Sequence, residues 1–232
     1  MSYNNQYSPR NFSFLPPVCK NLLIINVIVF VATYVLRLKG IDLASIFGLH
    51  FYKADTFHFW QYITYAFVHG NFNHLFFNMF AIWMFGYTLE NIWGAKKFIF
   101  FITTACLGAA LTQEITYYFM YSDLASGVYT HVSTGIDNIP VREYLNQINT
   151  VGASGIVFGL LLAFGMMFPN DYIYLYFLLP IKTKWFVIGY IALELFNGVV
   201  GTSDGIAHFA HLGGALAGFI LIMLWRKGKL RF

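Results

Sequence analysis

The sequence predicts an all-α polytopic membrane protein, a bundle of six transmembrane helices. Three observations carry that prediction. Of 232 residues, 58% are hydrophobic and only 10% are charged. About a quarter of a soluble domain is charged, so this chain has too little charge to coat itself for water. Its apolar residues gather into six runs, most approaching the ~20 residues that a spanning helix needs. Its Lys and Arg residues sit in short clusters at the ends of those runs. That clustering also argues against a nucleic-acid partner, despite the net charge of +4. The lipid bilayer is the expected solvent.

Taken in order, the chain opens with a polar segment, Met1–Pro17, rich in Asn, Ser and Tyr. It lacks an apolar core and a small-residue cleavage site, so residues 1–18 are read as a cytoplasmic tail and not a signal peptide. Residues 19–232 are read as one six-helix domain, with no internal repeat and no low-complexity tract. The spans fall at about Asn21–Leu36, His69–Tyr87, Phe98–Tyr118, Val151–Phe168, Trp185–Val200 and Ala207–Trp225. Two connections are long. Leu38–Val68 mixes aromatic residues with charge and is expected to lie in the interface as short amphipathic pieces. Tyr121–Thr150 is polar, with Gly, Ser and Asn, and is expected to be an exposed loop. Tyr172–Ile181 is apolar but carries Pro180 near its end, and is read as interfacial, not as a seventh span. Cys19 and Cys106 lie in or beside apolar spans and suggest neither a disulfide nor a metal site.

Orientation follows from the cations. With six spans and both ends inside, the inner segments hold Arg10, Lys20, Lys96, Lys97, Lys182, Lys184, Arg226, Lys227, Lys229 and Arg231. The outer segments hold only Arg37, Lys39, Lys53 and Arg142. The bias predicts cytoplasmic N- and C-termini.

Depth within the spans picks out a candidate site. Ser154 lies about 15 residues above Pro169, roughly 22 Å at helical rise. His211 lies about 15 residues above Arg226, again roughly 22 Å. Asn78 lies about 16 residues above Gly94, roughly 24 Å, with His74 one turn higher. A serine, two histidines and an asparagine thus reach similar depth from three helices, nearer the outer surface.

A serine hydroxyl needs a base to become a nucleophile, and His211 is the best-placed base. His211, Gly214 and Gly218 share one helix face, and the two glycines form a small-xxx-small pair that lets another helix approach. Gly155 and Gly159 form such a pair in the fourth span. His74 and Asn78 share a face and can both donate to a developing oxyanion, as can the Ser154 N–H at a helix start. No carboxylate stands at an obvious spacing to orient His211; Asp204 is nearest in sequence but lies in the preceding loop. A Ser–His dyad is therefore expected, not a triad. No metal or organic cofactor is implied.

These residues give the chain a resemblance to the rhomboid intramembrane serine proteases. The matching motifs are Gly152-Ala-Ser154-Gly155, His74-x-x-x-Asn78, His211-x-x-Gly214-x-x-x-Gly218 and Gly86-x-x-x-Glu90-x-x-x-Gly94, on spans two, four and six. The resemblance implies Ser154 as nucleophile, His211 as general base and acid, and His74, Asn78 and the Ser154 N–H as the oxyanion site. It assigns structural roles to Gly86, Glu90 and Gly94. It also implies transmembrane protein substrates, cut near the outer face, and a bacterial inner membrane as the location. Two positions depart from the family pattern. Trp60-Gln61 stands where a Trp-Arg pair is frequent, which bears on loop anchoring. Phe158 stands where a tyrosine often stacks on the catalytic histidine.

Other readings of single residues stay open. Ser154 is also compatible with simple packing, and Asn78 with an interhelical hydrogen bond. His208, one turn before His211, is the main decoy and is expected at the outer rim. His69 is placed as a support for the outer end of span two, and His58 and His131 as solvated loop residues. Glu90 reads as a cap or anchor. Glu194 falls in the middle of span five, where an acid is a functional suspect, but no role follows from its spacing. At the level of function, a non-proteolytic rhomboid-like protein that binds membrane clients and a small transporter are the alternatives. Retention of both Ser154 and His211 argues against the first, and the absence of internal repeats against the second.

Overall fold

The computed structural model describes residues 12–135, 137–175, 178–201 and 207–228. Met1–Asn11 and Asp204 lie outside the described residues, as do Arg10, Lys229 and Arg231 of the charge argument.

Helix α1 spans Pro17–Arg37, with proline at its first position, where the missing N–H costs nothing. The Glu90 carboxylate accepts from the backbone N–H groups of Val18 and Cys19, each at 2.8 Å, and so caps that helix start. The first long connection folds into pieces: α2 (Leu43–Phe47), strand β1 (Leu49–His50), α3 (Gln61–Thr64) and a 3-10 turn at Tyr65–Phe67. Helix α4 (Phe72–Ala81) begins where the Asn71 side chain accepts from the His74 N–H. It runs through a π-helical stretch, Ile82–Gly86, into α5 (Tyr87–Trp93), and Gly94 then reverses the chain at φ 79°. Helix α6 (Ala95–Tyr121) follows.

The segment expected as an exposed loop is partly structured. It carries a hairpin of β2 (His131–Ser133) and β3 (Asn138–Pro140), then α7 (Val141–Gln147) and β4 (Asn149–Thr150). Val141 and Leu145 bury themselves with Phe51, Ala54 and Tyr117 in a small second core, which a polar composition does not announce. Strand β4 pairs antiparallel with β1, so the two long connections clasp each other immediately before the Ser154 helix. The Tyr117 and Thr150 hydroxyls meet at 2.6 Å, and Arg142 pairs with Asp55, holding that carboxyl below the usual range.

Helix α8 covers Ser154–Met167 and not Val151–Phe168, because residues before Ser154 are taken up by β4 and by Gly152, whose φ of 124° no helix permits. Strands β5 (Tyr172–Leu175) and β6 (Leu179–Lys182) then form a hairpin, so this apolar stretch is not a spanning helix. Helices α9 (Thr183–Val200) and α10 (His208–Arg226) complete the described chain.

Four of the six expected spans, α1, α6, α9 and α10, are long and apolar enough to cross a membrane. Helix α8 is apolar but has only 14 residues, roughly 21 Å against a hydrocarbon core of about 30 Å. The α4–α5 stretch is helical throughout but interrupted by its π segment.

The core is α8 packed on α10 with α6 across both. A Cβ on Gly214 would overlap the carbonyl of Gly155, and one on Gly218 would crowd Gly159. At the far end the Arg226 guanidinium donates to the Met166 carbonyl at 2.8 Å. Partners thus rise together along both helices, which makes α8 and α10 parallel. Helix α6 is antiparallel to them: Ala109 lies against Gly155 and Ala105 against Gly159, while Gly108 meets Ala217 and Thr112 meets Gly213. Small residues at every crossing let the backbones come close where no hydrophobic effect drives helices together in lipid.

Candidate active site

Parallel packing of α8 and α10 puts their N-terminal ends side by side. Ser154 is the first residue of α8, and His211 is in the first turn of α10. His211 Nε2 lies 2.7 Å from Ser154 Oγ, so the pair expected from depth alone is in hydrogen-bond contact. The His211 ring is buried, whereas Ser154 remains half-buried. Phe158, one turn into α8, stacks on His211 with ring centroids 4.4 Å apart and planes 9° apart. The ring that replaces tyrosine therefore keeps the stack. Its other neighbour is Tyr190 of α9, at 4.9 Å.

The turn before Ser154 is held on two sides. Gly152 N–H donates to the Tyr65 carbonyl at 2.9 Å, and the Ala153 N–H points at His69 Nε2 at 3.5 Å. His74 lies so close to Gly152 that a Cβ there would strike its Nε2 and Cε1 atoms. Gly152 is thus required twice, by its φ and by the imidazole beside it. Buried His69 packs edge-on against His74 at 5.0 Å and so belongs to the site's support, as expected of an anchor at this end of the helix. Asn78 is buried one turn further along α4, where an amide N–H donates to the His74 carbonyl at 2.9 Å. Its described side-chain bond is internal to α4, so it is not the interhelical hydrogen bond kept open as the alternative for this residue. The Ser154 N–H sits in the first helical turn, where intrahelical partners are missing.

Two expectations are corrected here. His211 does have a carboxylate partner: Glu194 Oε2 lies 2.8 Å from His211 Nδ1. His208, expected at the outer rim as a decoy, opens α10 but is buried at 5% exposure, with Nδ1 2.8 Å from the same Glu194 oxygen. Glu194 was a suspect by its place in span five, but its pairing with His211 was not legible, because 17 residues and a change of helix separate the two. Only the burial pattern of the folded helix shows which way the acid faces. Thr183, Val187 and Glu194 are the buried positions of α9 and recur at helical spacing, while Leu193, Leu195 and Phe196 are exposed, so the acid shares the inward stripe. The ligand atoms of Glu194, His208 and His211 lie within 4.8 Å of one another, a donor set that a divalent cation can also use.

The remaining positions fall as support. Glu90 is the α1 cap, as expected of an anchor, and Gly86 faces Cys19 too closely for a side chain. The doubt attached to Gln61 is resolved by its contacts. Fully buried, it accepts from the His50 and His58 N–H groups and donates to the Ile46 and Thr56 carbonyls, which ties the first connection together. His58 stacks on Trp60 at 4.2 Å and both are exposed, as is His131. Cys19 and Cys106 are free and buried.

The family model for the Rhomboid domain matches residues 56–228. The chain is 27% identical to Rhomboid-like protein 11, chloroplastic, of Arabidopsis thaliana, over 89% of this chain and 64% of that protein. It is 26% identical to RHOMBOID-like protein 12, mitochondrial, of the same plant, over 93% of this chain and 60% of the relative. Rhomboid protease AarA of Providencia stuartii is 27% identical over 76% of this chain and 59% of its own length. The chain thus spans about three fifths of the length of these curated relatives. With the family model covering most of the chain and its motif residues gathered at one end of α8 and α10, this protein belongs to the rhomboid family.

Proposed function

We propose that this protein is an intramembrane serine endopeptidase that cuts transmembrane substrates near the outer membrane face. The observation that carries the reading is the 2.7 Å contact between Ser154 Oγ and His211 Nε2 across two parallel helices. A rhomboid protease among its relatives supports it further. In this reading His211 takes the Ser154 proton as Oγ attacks the scissile carbonyl, then gives that proton to the leaving amine. Water, deprotonated by His211, then attacks the acyl-enzyme; the carboxyl product leaves and Ser154 Oγ regains its proton. The Ser154 N–H, His74 and Asn78 serve the oxyanion; for Asn78 this asks the amide to turn a second N–H toward the substrate.

The membrane assignment follows the same lines. The π-interrupted α4–α5 stretch and the short α8 complete a six-span bundle with the four longer helices. The Lys and Arg bias supports cytoplasmic termini, so the N-terminal ends of α8 and α10 face outward. The bacterial relative favours a plasma membrane, while the two plant relatives carry chloroplast and mitochondrial names.

The test uses the purified chain in liposomes with a single-span substrate and a fluorophosphonate probe. Ser154→Ala and His211→Ala abolish cleavage while the protein keeps its fold, and the probe labels Ser154 only when His211 is intact. Cleavage that survives Ser154→Ala ends this reading. A folded chain that holds single-span clients and neither cleaves nor labels is instead the non-proteolytic client binder.

A further inference from the structure

We infer that Glu194 is a positioning residue for His211, so that the site works as Ser154–His211–Glu194 and not as a serine–histidine pair alone. The inference rests on the function proposed above. Its ground is the linear arrangement of the imidazole: Nε2 lies 2.7 Å from Ser154 Oγ and Nδ1 lies 2.8 Å from Glu194 Oε2. An ionised carboxylate accepts hydrogen bonds and cannot donate. The proton of neutral His211 therefore resides on Nδ1, and the Nε2 lone pair faces the serine hydroxyl. That is the tautomer a general base needs.

Two neighbours divide the work of holding the ring. Phe158, stacked at 4.4 Å, fixes the plane of the imidazole. It leaves open which nitrogen faces the serine, and Glu194 decides that. The carboxylate is itself held, since the same Oε2 is 2.8 Å from His208 Nδ1, with the two imidazoles nearly perpendicular at 86°. During the reaction the Ser154 proton moves to Nε2, and the resulting imidazolium faces a negative oxygen in a buried site. The proton leaves again with the amine; Glu194 stays ionised throughout. A buried acid on a helix whose other faces are apolar and exposed is costly to keep without a use, which favours this role over an incidental one.

The competing account is that Glu194 only fastens α9 to α10 through His208. A second is that the three groups hold a cation. The experiment compares Glu194→Gln, Glu194→Asp and His208→Asn in the full chain in liposomes, each checked for wild-type folding by its thermal transition. Glu194→Gln keeps the shape and an acceptor but removes the charge. It is expected to lower kcat roughly 10²- to 10⁴-fold, with KM within about threefold, and to slow fluorophosphonate labelling of Ser154 in parallel. Glu194→Asp recovers part of the loss, and it decides the matter should the Gln variant not fold. His208→Asn loses less than about tenfold. Wild-type kcat in both folded Glu194 variants, a His208→Asn loss equal to that of Glu194→Gln, or wild-type activity abolished by EDTA and restored by zinc would each overturn the inference. None of these results touches the parent reading, which stands or falls on cleavage and labelling by wild-type protein against Ser154→Ala.

Discussion

At the scale of single residues, Phe158, one of the two positions that depart from the family pattern, keeps the useful half of what it replaces. Phe158 lies flat on His211 at 4.4 Å, and no hydroxyl is needed for that contact. The spacing made this legible, because positions 154 and 158 are one helical turn apart and must share a face. A ring pair of this kind contributes about 0.5–1.5 kcal/mol beyond its buried area. Phe158→Leu keeps bulk and loses the flat face, so kcat for the single-span substrate is expected to fall about 2- to 13-fold at unchanged fold. A Phe158→Leu enzyme with wild-type kcat would mean that the plane of His211 is set elsewhere. Glu194 and Gln61 were less legible for one shared reason. Sequence spacing reports depth and helix face, but not which side chain of another element reaches across. Glu194 finds its histidines on the next helix, and Gln61 finds carbonyls at Ile46 and Thr56.

At the scale of elements, the seam between α8 and α10 decides whether the site exists. The Ser154–His211 contact depends on backbones that approach at Gly155 and Gly214, where any Cβ on Gly214 meets a carbonyl. Paired small residues on both helices announced this packing, and the structure has it. What the sequence could not announce was where α8 starts. An apolar run continues smoothly through Val151, and only the pairing of β4 with β1 and the φ of Gly152 cut it back to Ser154. Gly214→Ala forces the two helices apart at the level of the site. Overpacking of this sort costs about 1–3 kcal/mol in a tight core, so the variant is expected to melt several degrees lower. Its fluorophosphonate labelling should fall more steeply than its stability, because the separation is delivered directly to the hydrogen bond. Equal labelling rates in Gly214→Ala and wild type, measured below both transitions, would show that the site tolerates a wider seam.

At the scale of the whole molecule, composition was the most informative signal and the loops the least. Scarce charge and long apolar runs pointed to a mostly helical membrane architecture but not to the three two-stranded sheets among the described residues, and the second connection, which looked like bare loop, carries α7 and a hairpin over a small core with Phe51 and Tyr117. That core lies at the same end of the molecule as Ser154, since β4 leads directly into α8. Orientation therefore decides which compartment the site faces, and it rests on cations alone. The two native cysteines are buried, so an introduced thiol can report with little background. Ser126 is exposed in the second connection, and Lys227 is exposed just past α10, at the opposite end. In sealed right-side-out vesicles, a membrane-impermeant maleimide is expected to label Ser126→Cys and to leave Lys227→Cys untouched until the vesicles are opened. The reverse pattern would put Ser154 and His211 near the cytoplasmic face, where the substrate bond in question is not, and the Lys and Arg bias would then have misled. The labelling experiment is independent of activity, so it holds for inactive variants too and separates an inverted molecule from an inactive one.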